Sequence, residues 1–105
     1  MIKFYKCKRF LAIEIQGHFK QDICNTISII TQFSQWVLPK MFVNFSKGYT
    51  FILAKNKKEK NLINKVILFF CDYFSQNNIK YEYIKNKKIY LKLNRTKLKF
   101  IPIED

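Results

Sequence analysis

The chain has few acidic residues, and it has no long apolar run. Its 105 residues contain 7 Asp and Glu against 20 Lys and Arg, which gives a formal net charge of +13. No run approaches the roughly 18–20 apolar residues of a membrane-spanning helix, and residues 1–10 lack the continuous apolar segment of a signal peptide. Hydrophobic residues make up 49% of the chain, so the low hydrophobicity of disordered chains is absent. We expect one soluble, cytoplasmic domain over residues 1–105.

Cysteine and histidine are also scarce. Cys7, Cys24 and Cys71 form an odd, widely spaced set with no C-x-x-C pair. This spacing excludes a disulfide framework and favours a reducing cytosol. The only histidine is His18, and with Cys24 and Asp22 it offers too few ligands at zinc spacing. We therefore expect neither a metal nor a cofactor.

The excess of positive charge has two interpretations, which both remain open. A basic surface attracts polyanions such as RNA, a ribosome or an acidic membrane surface. Alternatively, the charge reflects a codon bias toward Lys, Asn and Ile, since no aromatic-spaced RNA motif accompanies it. Basic residues are dense near the C-terminus, where Glu82 is the one acidic residue between positions 80 and 99. The basic residues there are Lys80, Lys85, Lys87, Lys88, Lys92, Arg95, Lys97 and Lys99.

Alternating apolar residues predict the strands. Residues 2–7 and 11–16 form one predicted hairpin, and residues 41–45 and 49–53 form another around a turn at 46–48. Further strands are predicted from 79 to 83 and from 89 to 93. The last of these is an added C-terminal strand within residues 85–105.

Two helices are predicted between these strands. The first begins at Asp22, interpreted as its N-cap, and ends before Pro39. The second covers residues 57–75, and its predicted buried side consists of Leu62, Val66, Phe69, Phe70, Tyr73 and Phe74. The order strand, strand, helix, strand, strand, helix, strand predicts an α+β fold: a mostly antiparallel sheet with both helices on one face.

The candidate chemistry lies where the first hairpin meets the first helix. His18 precedes Cys24 by six residues, and Cys24 is at the start of the helix. A helix N-terminus and a nearby imidazolium both lower a thiol pKa, and the thiolate is the reactive nucleophile. First-turn amides can also stabilise an oxyanion. The other interpretation is a solvated histidine and a small core cysteine. Cys7 and Cys71 are interpreted as structural.

Residues 1–84 resemble the ribosomal-processing cysteine protease family. That family has an N-terminal hairpin ending in Gly-His, a glycine-rich loop, and an Asp-Ile-Val-Cys type motif that opens a helix, with Ser one turn later. The corresponding residues here are Gly17-His18, Asp22-Ile23-Cys24 and Ser28. The loop is several residues shorter than in the family, and Asp22 is two rather than three positions before the cysteine. Residues 85–105 have no clear counterpart and look like a lineage-specific extension.

The resemblance implies a function. Members are small cytosolic homodimers that remove an N-terminal extension from a large-subunit ribosomal protein precursor, without a cofactor. By this resemblance Cys24 is the nucleophile and His18 the general base, while Gly17, Asp22 and Ser28 support the site or bind substrate. The alternative function is a non-catalytic, basic relative that binds the ribosome or its RNA.

Overall fold

The computed structural model describes residues 1–85, 89–93 and 98–102, with side chains described for residues 1–85. Two helices separate the strands in the predicted order. The strands are β1 (Ile2–Lys6), β2 (Leu11–Gln16), β3 (Phe42–Ser46), β4 (Tyr49–Ala54), β5 (Glu82–Lys85), β6 (Ile89–Leu93) and β7 (Leu98–Pro102), and the helices are α1 (Gln21–Val37) and α2 (Lys57–Gln76).

The first five strands form one sheet in the order β3-β4-β2-β1-β5. Neighbouring strands are antiparallel except for β1 and β5, which are parallel. This mostly antiparallel sheet, with its two helices, confirms the predicted α+β fold class and element order. Register places Ile13 opposite both Phe4 and Ile52, so these three side chains share one face of the sheet.

Both helices pack on that face. Phe4, Ile13 and Ile52 join one buried cluster with the helix residues Ile27 and Phe70. The Phe4 ring also lies 6.5 Å from the ring of Phe70 and 6.4 Å from that of Phe74, measured between centroids. Full burial of one such side chain contributes about 1.5–3 kcal/mol. This aromatic contact holds α2 against the centre of the sheet.

The opposite face carries a second buried cluster, which includes Ala12, Phe51 and Leu53. Beside it, the Glu14 carboxylate accepts hydrogen bonds from the hydroxyls of Tyr5 (3.4 Å) and Tyr49 (3.2 Å). Burial, and then the negative charge of Glu14, raises the pKa of both phenols; that of Tyr49 rises to about 12. Both tyrosines therefore stay protonated and keep Glu14 hydrogen-bonded.

The start of α1 differs from the prediction. Lys20 is the N-cap residue and makes no side-chain cap, so the assignment of Asp22 as N-cap was wrong. The amide of Cys24 donates to the Lys20 carbonyl oxygen (3.0 Å), which begins the helical hydrogen bonds two residues earlier than expected. Asp22 lies inside the first turn, where the helix dipole stabilises a negative charge.

The buried side of α2 is also rotated from the prediction. Phe69 is 43% exposed. Ile63 and Ile67, which were not predicted to be buried, are each at most 1% exposed. The helix begins at an N-cap that the sequence analysis missed: the Asn56 side chain accepts from the amide of Glu59 (2.9 Å). The Glu59 carboxylate accepts from the amide of Lys55 (2.9 Å), the residue before the N-cap, which adds a second side-chain hydrogen bond at this helix start.

The C-terminal region contains one more strand than predicted. β6 and β7 pair in an antiparallel two-stranded sheet, whereas one added strand was expected. The strand predicted at residues 79–83 instead occupies Glu82–Lys85. The predicted turn at 85–87 falls largely outside the described residues, as do the basic residues Lys87, Lys88, Arg95 and Lys97.

Candidate functional site

An open cavity of about 440 Å³ lies between the start of α1, the loop at residues 17–19 and the β3–β4 turn. Four of the five site residues predicted from the sequence line it: Gly17, His18, Cys24 and Ser28. The fifth, Asp22, is exposed and is not part of the lining. The cavity therefore brings together the predicted nucleophile and the predicted base.

His18 is positioned by two glycines. Gly17 leaves β2 with φ of 121°, and its amide donates to the Gly48 carbonyl oxygen (2.9 Å). Gly48 lies in the two-residue turn between β3 and β4 with φ of 75°. The exposed imidazole rests on Gly48: a Cβ there would lie 2.9 Å from His18 Cε1 and 3.1 Å from Nε2. Only glycine permits this close approach.

Cys24 is half-buried in the first turns of α1. Its Sγ donates a hydrogen bond to the Phe19 carbonyl oxygen at 3.4 Å, so the described partner of the thiol is a backbone carbonyl and not His18. The first-turn amides are partly occupied as well. That of Ile23 donates to Asp22 Oδ1 (2.9 Å), and that of Cys24 donates to the Lys20 carbonyl. Neither of these two amides is available to an oxyanion in this arrangement.

Two further polar side chains of α1 line the cavity. Ser28 is one turn after Cys24 on the same side of the helix, and its Oγ accepts from Gln32 Nε2 (3.2 Å). Asn25 lies beside Cys24, and its Oδ1 accepts from Gln21 Nε2 (2.9 Å). The side-chain NH₂ group of Asn25 can donate to another group. Asn25 and Ser28 therefore supply hydrogen-bond donors at the cavity.

The second hairpin completes the site, and the sequence analysis did not foresee this. Phe45, Lys47, Gly48 and Tyr49 all line the cavity. The turn itself was predicted from its Ser-Lys-Gly sequence, but no local signal relates it to His18. The relation depends on the pairing of β2 with β4, which sets Gln16 opposite Tyr49.

The other two cysteines lie in the clusters on the two faces of the sheet. Cys7 packs at the edge of the cluster that contains Phe51, and Cys71 at the edge of the cluster that contains Phe70. Both are free thiols, and burial raises the pKa of each; a hydrogen bond with Tyr81 partly offsets this for Cys71. A raised pKa reduces the thiolate fraction, so neither group is activated.

The described residues contain no group of three or more His, Cys, Asp or Glu side chains that could hold a metal ion. None of the described helices combines the length and the apolar character needed to cross a bilayer.

Comparisons with known proteins add no assignment. No protein-family model matches the chain, and no curated protein matches it in sequence. The resemblance to the ribosomal-processing cysteine proteases therefore stays a prediction from Gly17-His18, Asp22-Ile23-Cys24 and Ser28.

Proposed function

We propose that the chain is a cysteine endopeptidase that removes an N-terminal extension from a large-subunit ribosomal protein precursor. One observation carries the proposal: His18 and Cys24, the only histidine and the only cysteine near a helix start, line the same open cavity. The substrate and the expected cytoplasmic homodimer come from the family resemblance. The order of strands and helices agrees with that family and supports the proposal.

The first chemical step needs a thiolate. The thiol hydrogen of Cys24, which is directed at the Phe19 carbonyl oxygen, must be transferred to His18. The imidazole therefore leaves Gly48 and approaches Sγ. The thiolate then attacks the carbonyl carbon of the scissile peptide bond, and an S–C bond forms. As the C–N bond breaks, the imidazolium of His18 donates its proton to the departing amine.

The second step releases the product. A water molecule gives a proton to the now neutral His18 and attacks the thioester carbon. The S–C bond breaks, the acyl group leaves as a carboxylic acid, and the sulfur departs as a thiolate beside imidazolium. In both steps the Asn25 side-chain amide and the Ser28 hydroxyl, which line the cavity on the helix of Cys24, offer donors to the developing oxyanion, since the backbone amide of Cys24 is already bonded.

The direct test is cleavage of the organism's own precursor protein, followed by intact mass. Cys24→Ala and Cys24→Ser abolish cleavage while circular dichroism shows an unchanged fold. Cys71→Ser is the matched control and retains cleavage, because Cys71 is not among the residues that line the cavity. Full activity in Cys24→Ala would exclude Cys24 as the nucleophile.

His18 is tested separately through the pH dependence of the reaction. A thiolate–imidazolium pair gives a bell-shaped profile of kcat/KM against pH. His18→Ala removes nearly all of the rate, and it slows alkylation of the Cys24 thiol by iodoacetamide. An unchanged alkylation rate in His18→Ala would show that the two side chains never meet.

A second candidate function is binding to ribosomal RNA without catalysis. Two observations favour it: the formal charge of +13, and the hydrogen bond of the Cys24 thiol to the Phe19 carbonyl oxygen and not to His18. Such binding weakens steeply between about 50 mM and about 200 mM salt, because each phosphate contact releases counterions. Co-sedimentation with ribosomal subunits measures it, and a folded chain ending at Ile84 tests whether the C-terminal basic residues contribute.

A further inference from the structure

Strand β3 is an edge of the five-stranded sheet, and part of its backbone is unpaired within the described sheet. The sheet order places β4 on one side of β3 and no strand on the other. Ser46 and Tyr49 flank a two-residue turn, so they exchange both backbone hydrogen bonds. Because this bonding alternates along an antiparallel pair, Val43 and Phe45 direct their N–H and C=O groups away from β4.

This edge lacks the protection that exposed strands usually carry. Natural edge strands are blocked by lysines, prolines or bulges, since an open edge pairs with other chains. The segment from Met41 to Ser46 contains no charged residue and no proline, although 26% of the chain is charged. Phe45 is 44% exposed on it. The edge is therefore suited to receive another extended chain.

The open edge continues into the candidate active site. Phe45 and Ser46, the last residues of β3, line the cavity together with Cys24 and Ser28. Phe45 is paired with Thr50, which also lines the cavity, so both side chains lie on the face of the sheet that α1 covers. A strand added beside β3 directs every second side chain to this same face.

We propose that β3 binds an extended peptide as an additional strand, and that alternate side chains of this peptide enter the cavity beside Cys24. The peptide is the substrate segment around the scissile bond, and in that respect the inference rests on the proposed function. Backbone hydrogen bonds to Val43 and Phe45 supply affinity, as in other cases of strand addition. The exposed Phe45 ring selects an apolar side chain in the neighbouring strand.

The test measures peptide binding apart from cleavage. The probe is a synthetic peptide that spans the extension and the first mature residues of the organism's own ribosomal protein precursor, and the protein is the full chain with Cys24→Ala. Binding slows hydrogen exchange at the amides of Val43 and Phe45. Exchange protection confined to other parts of the chain would overturn the inference.

Two substitutions at one position isolate the backbone contribution. Val43→Pro removes the outward N–H without removing a β3–β4 hydrogen bond, whereas Val43→Ala retains that N–H. The proline variant weakens binding by up to about tenfold relative to the alanine variant, the loss expected for one backbone hydrogen bond. Phe45→Ala also weakens binding. Phe42→Ala, whose ring contacts Phe51 on the opposite face, does not.

A scan of the peptide provides a readout that does not depend on variant folding. Methylation of single backbone nitrogens in the peptide weakens binding at every second position if the peptide pairs as a strand. Loss at all positions or at none overturns the inference. If the chain cleaves the peptide but the β3 variants do not change peptide binding, only the inference is overturned. Binding at β3 without cleavage overturns only the proposed function, and a peptide that neither binds nor is cleaved overturns both.

Discussion

Gly48 supports the His18 imidazole, and an alanine at this position disturbs that contact directly. A Cβ on Gly48 would lie 2.9 Å from Cε1 of the ring and 3.1 Å from Nε2, closer than carbon atoms approach without a shift. The atoms that it meets belong to the far end of an exposed side chain. In Gly48→Ala we therefore expect the imidazole to move while the backbone of the β3–β4 turn remains in place.

The expected loss of stability comes mainly from the backbone. Gly48 has φ of 75°, and a left-handed conformation costs an L-residue about 1–2 kcal/mol. For a domain of this size, each kcal/mol lowers Tm by about 4–8 °C. Displacement of the exposed ring adds little, because His18 loses few contacts. Thermal unfolding thus reports the strain, and a separate measurement is needed for the ring.

The single histidine makes that measurement simple. His18 gives the one imidazole Cε1–H resonance of the chain, and its NMR chemical shift reports the surroundings of the ring. Gly48→Ala shifts this resonance, and so does Gly48→Asn, which tolerates positive φ but carries the same Cβ. Gly17→Ala is a control for the loss of stability only, because Gly17 is also strained at φ of 121° but directly precedes His18. An unchanged resonance in Gly48→Ala would refute the contact between His18 and Gly48.

Three further predictions concern the cysteines, a helix cap and a tyrosine. At about pH 6.5, iodoacetamide alkylates Cys24 faster than Cys7 or Cys71, whose pKa values burial raises; equal rates measured by peptide mass spectrometry would contradict an activated thiol. Asn56→Ala lowers the free energy of unfolding by about 1 kcal/mol, measured by urea denaturation, while Asn56→Asp retains the cap. Burial, and then the adjacent carboxylate, raises the Tyr49 pKa from 10.0 to about 12, so the unfolded chain loses this proton first as pH rises. The contribution of Tyr49 to stability is therefore complete below about pH 10 and declines as pH increases toward 12; a Tyr49→Phe variant with an identical decline would contradict this.

Local periodicity was sufficient to predict most of the fold. Alternation identified both hairpins, and Pro39 and the polar run after residue 75 limited the helices to within a few residues. The error at Asp22 has a physical reason: an aspartate is favourable both at an N-cap and inside the first turn. Which role Asp22 takes depends on the residue at which the helix begins. The hydrogen bond from the Cys24 amide to the Lys20 carbonyl oxygen makes Lys20 the N-cap.

The rotation of α2 could not be predicted because its apolar residues extend over more than one face. Phe69 and Phe70 are adjacent, so the sheet can bury only one of them completely. The Phe70 ring is the one that stacks against Phe4, and Phe69 instead stacks on Tyr73 with ring centroids 5.7 Å apart. Tertiary packing against the central strand decides between two residues that the sequence pattern treats as equivalent.

The short loop before α1 explains why the Cys24 thiol is hydrogen-bonded to a backbone carbonyl. Only residues 17–20 separate β2 from α1, and this brings the Phe19 carbonyl within hydrogen-bonding distance of Cys24 Sγ. The same loop directs His18 onto Gly48, at the end of the hairpin that β3 begins. In the proposed enzyme, a peptide strand beside β3 reaches the cavity at Phe45 and Ser46, next to this resting place of the imidazole. Substrate binding and the movement of His18 toward Cys24 then involve the same hairpin.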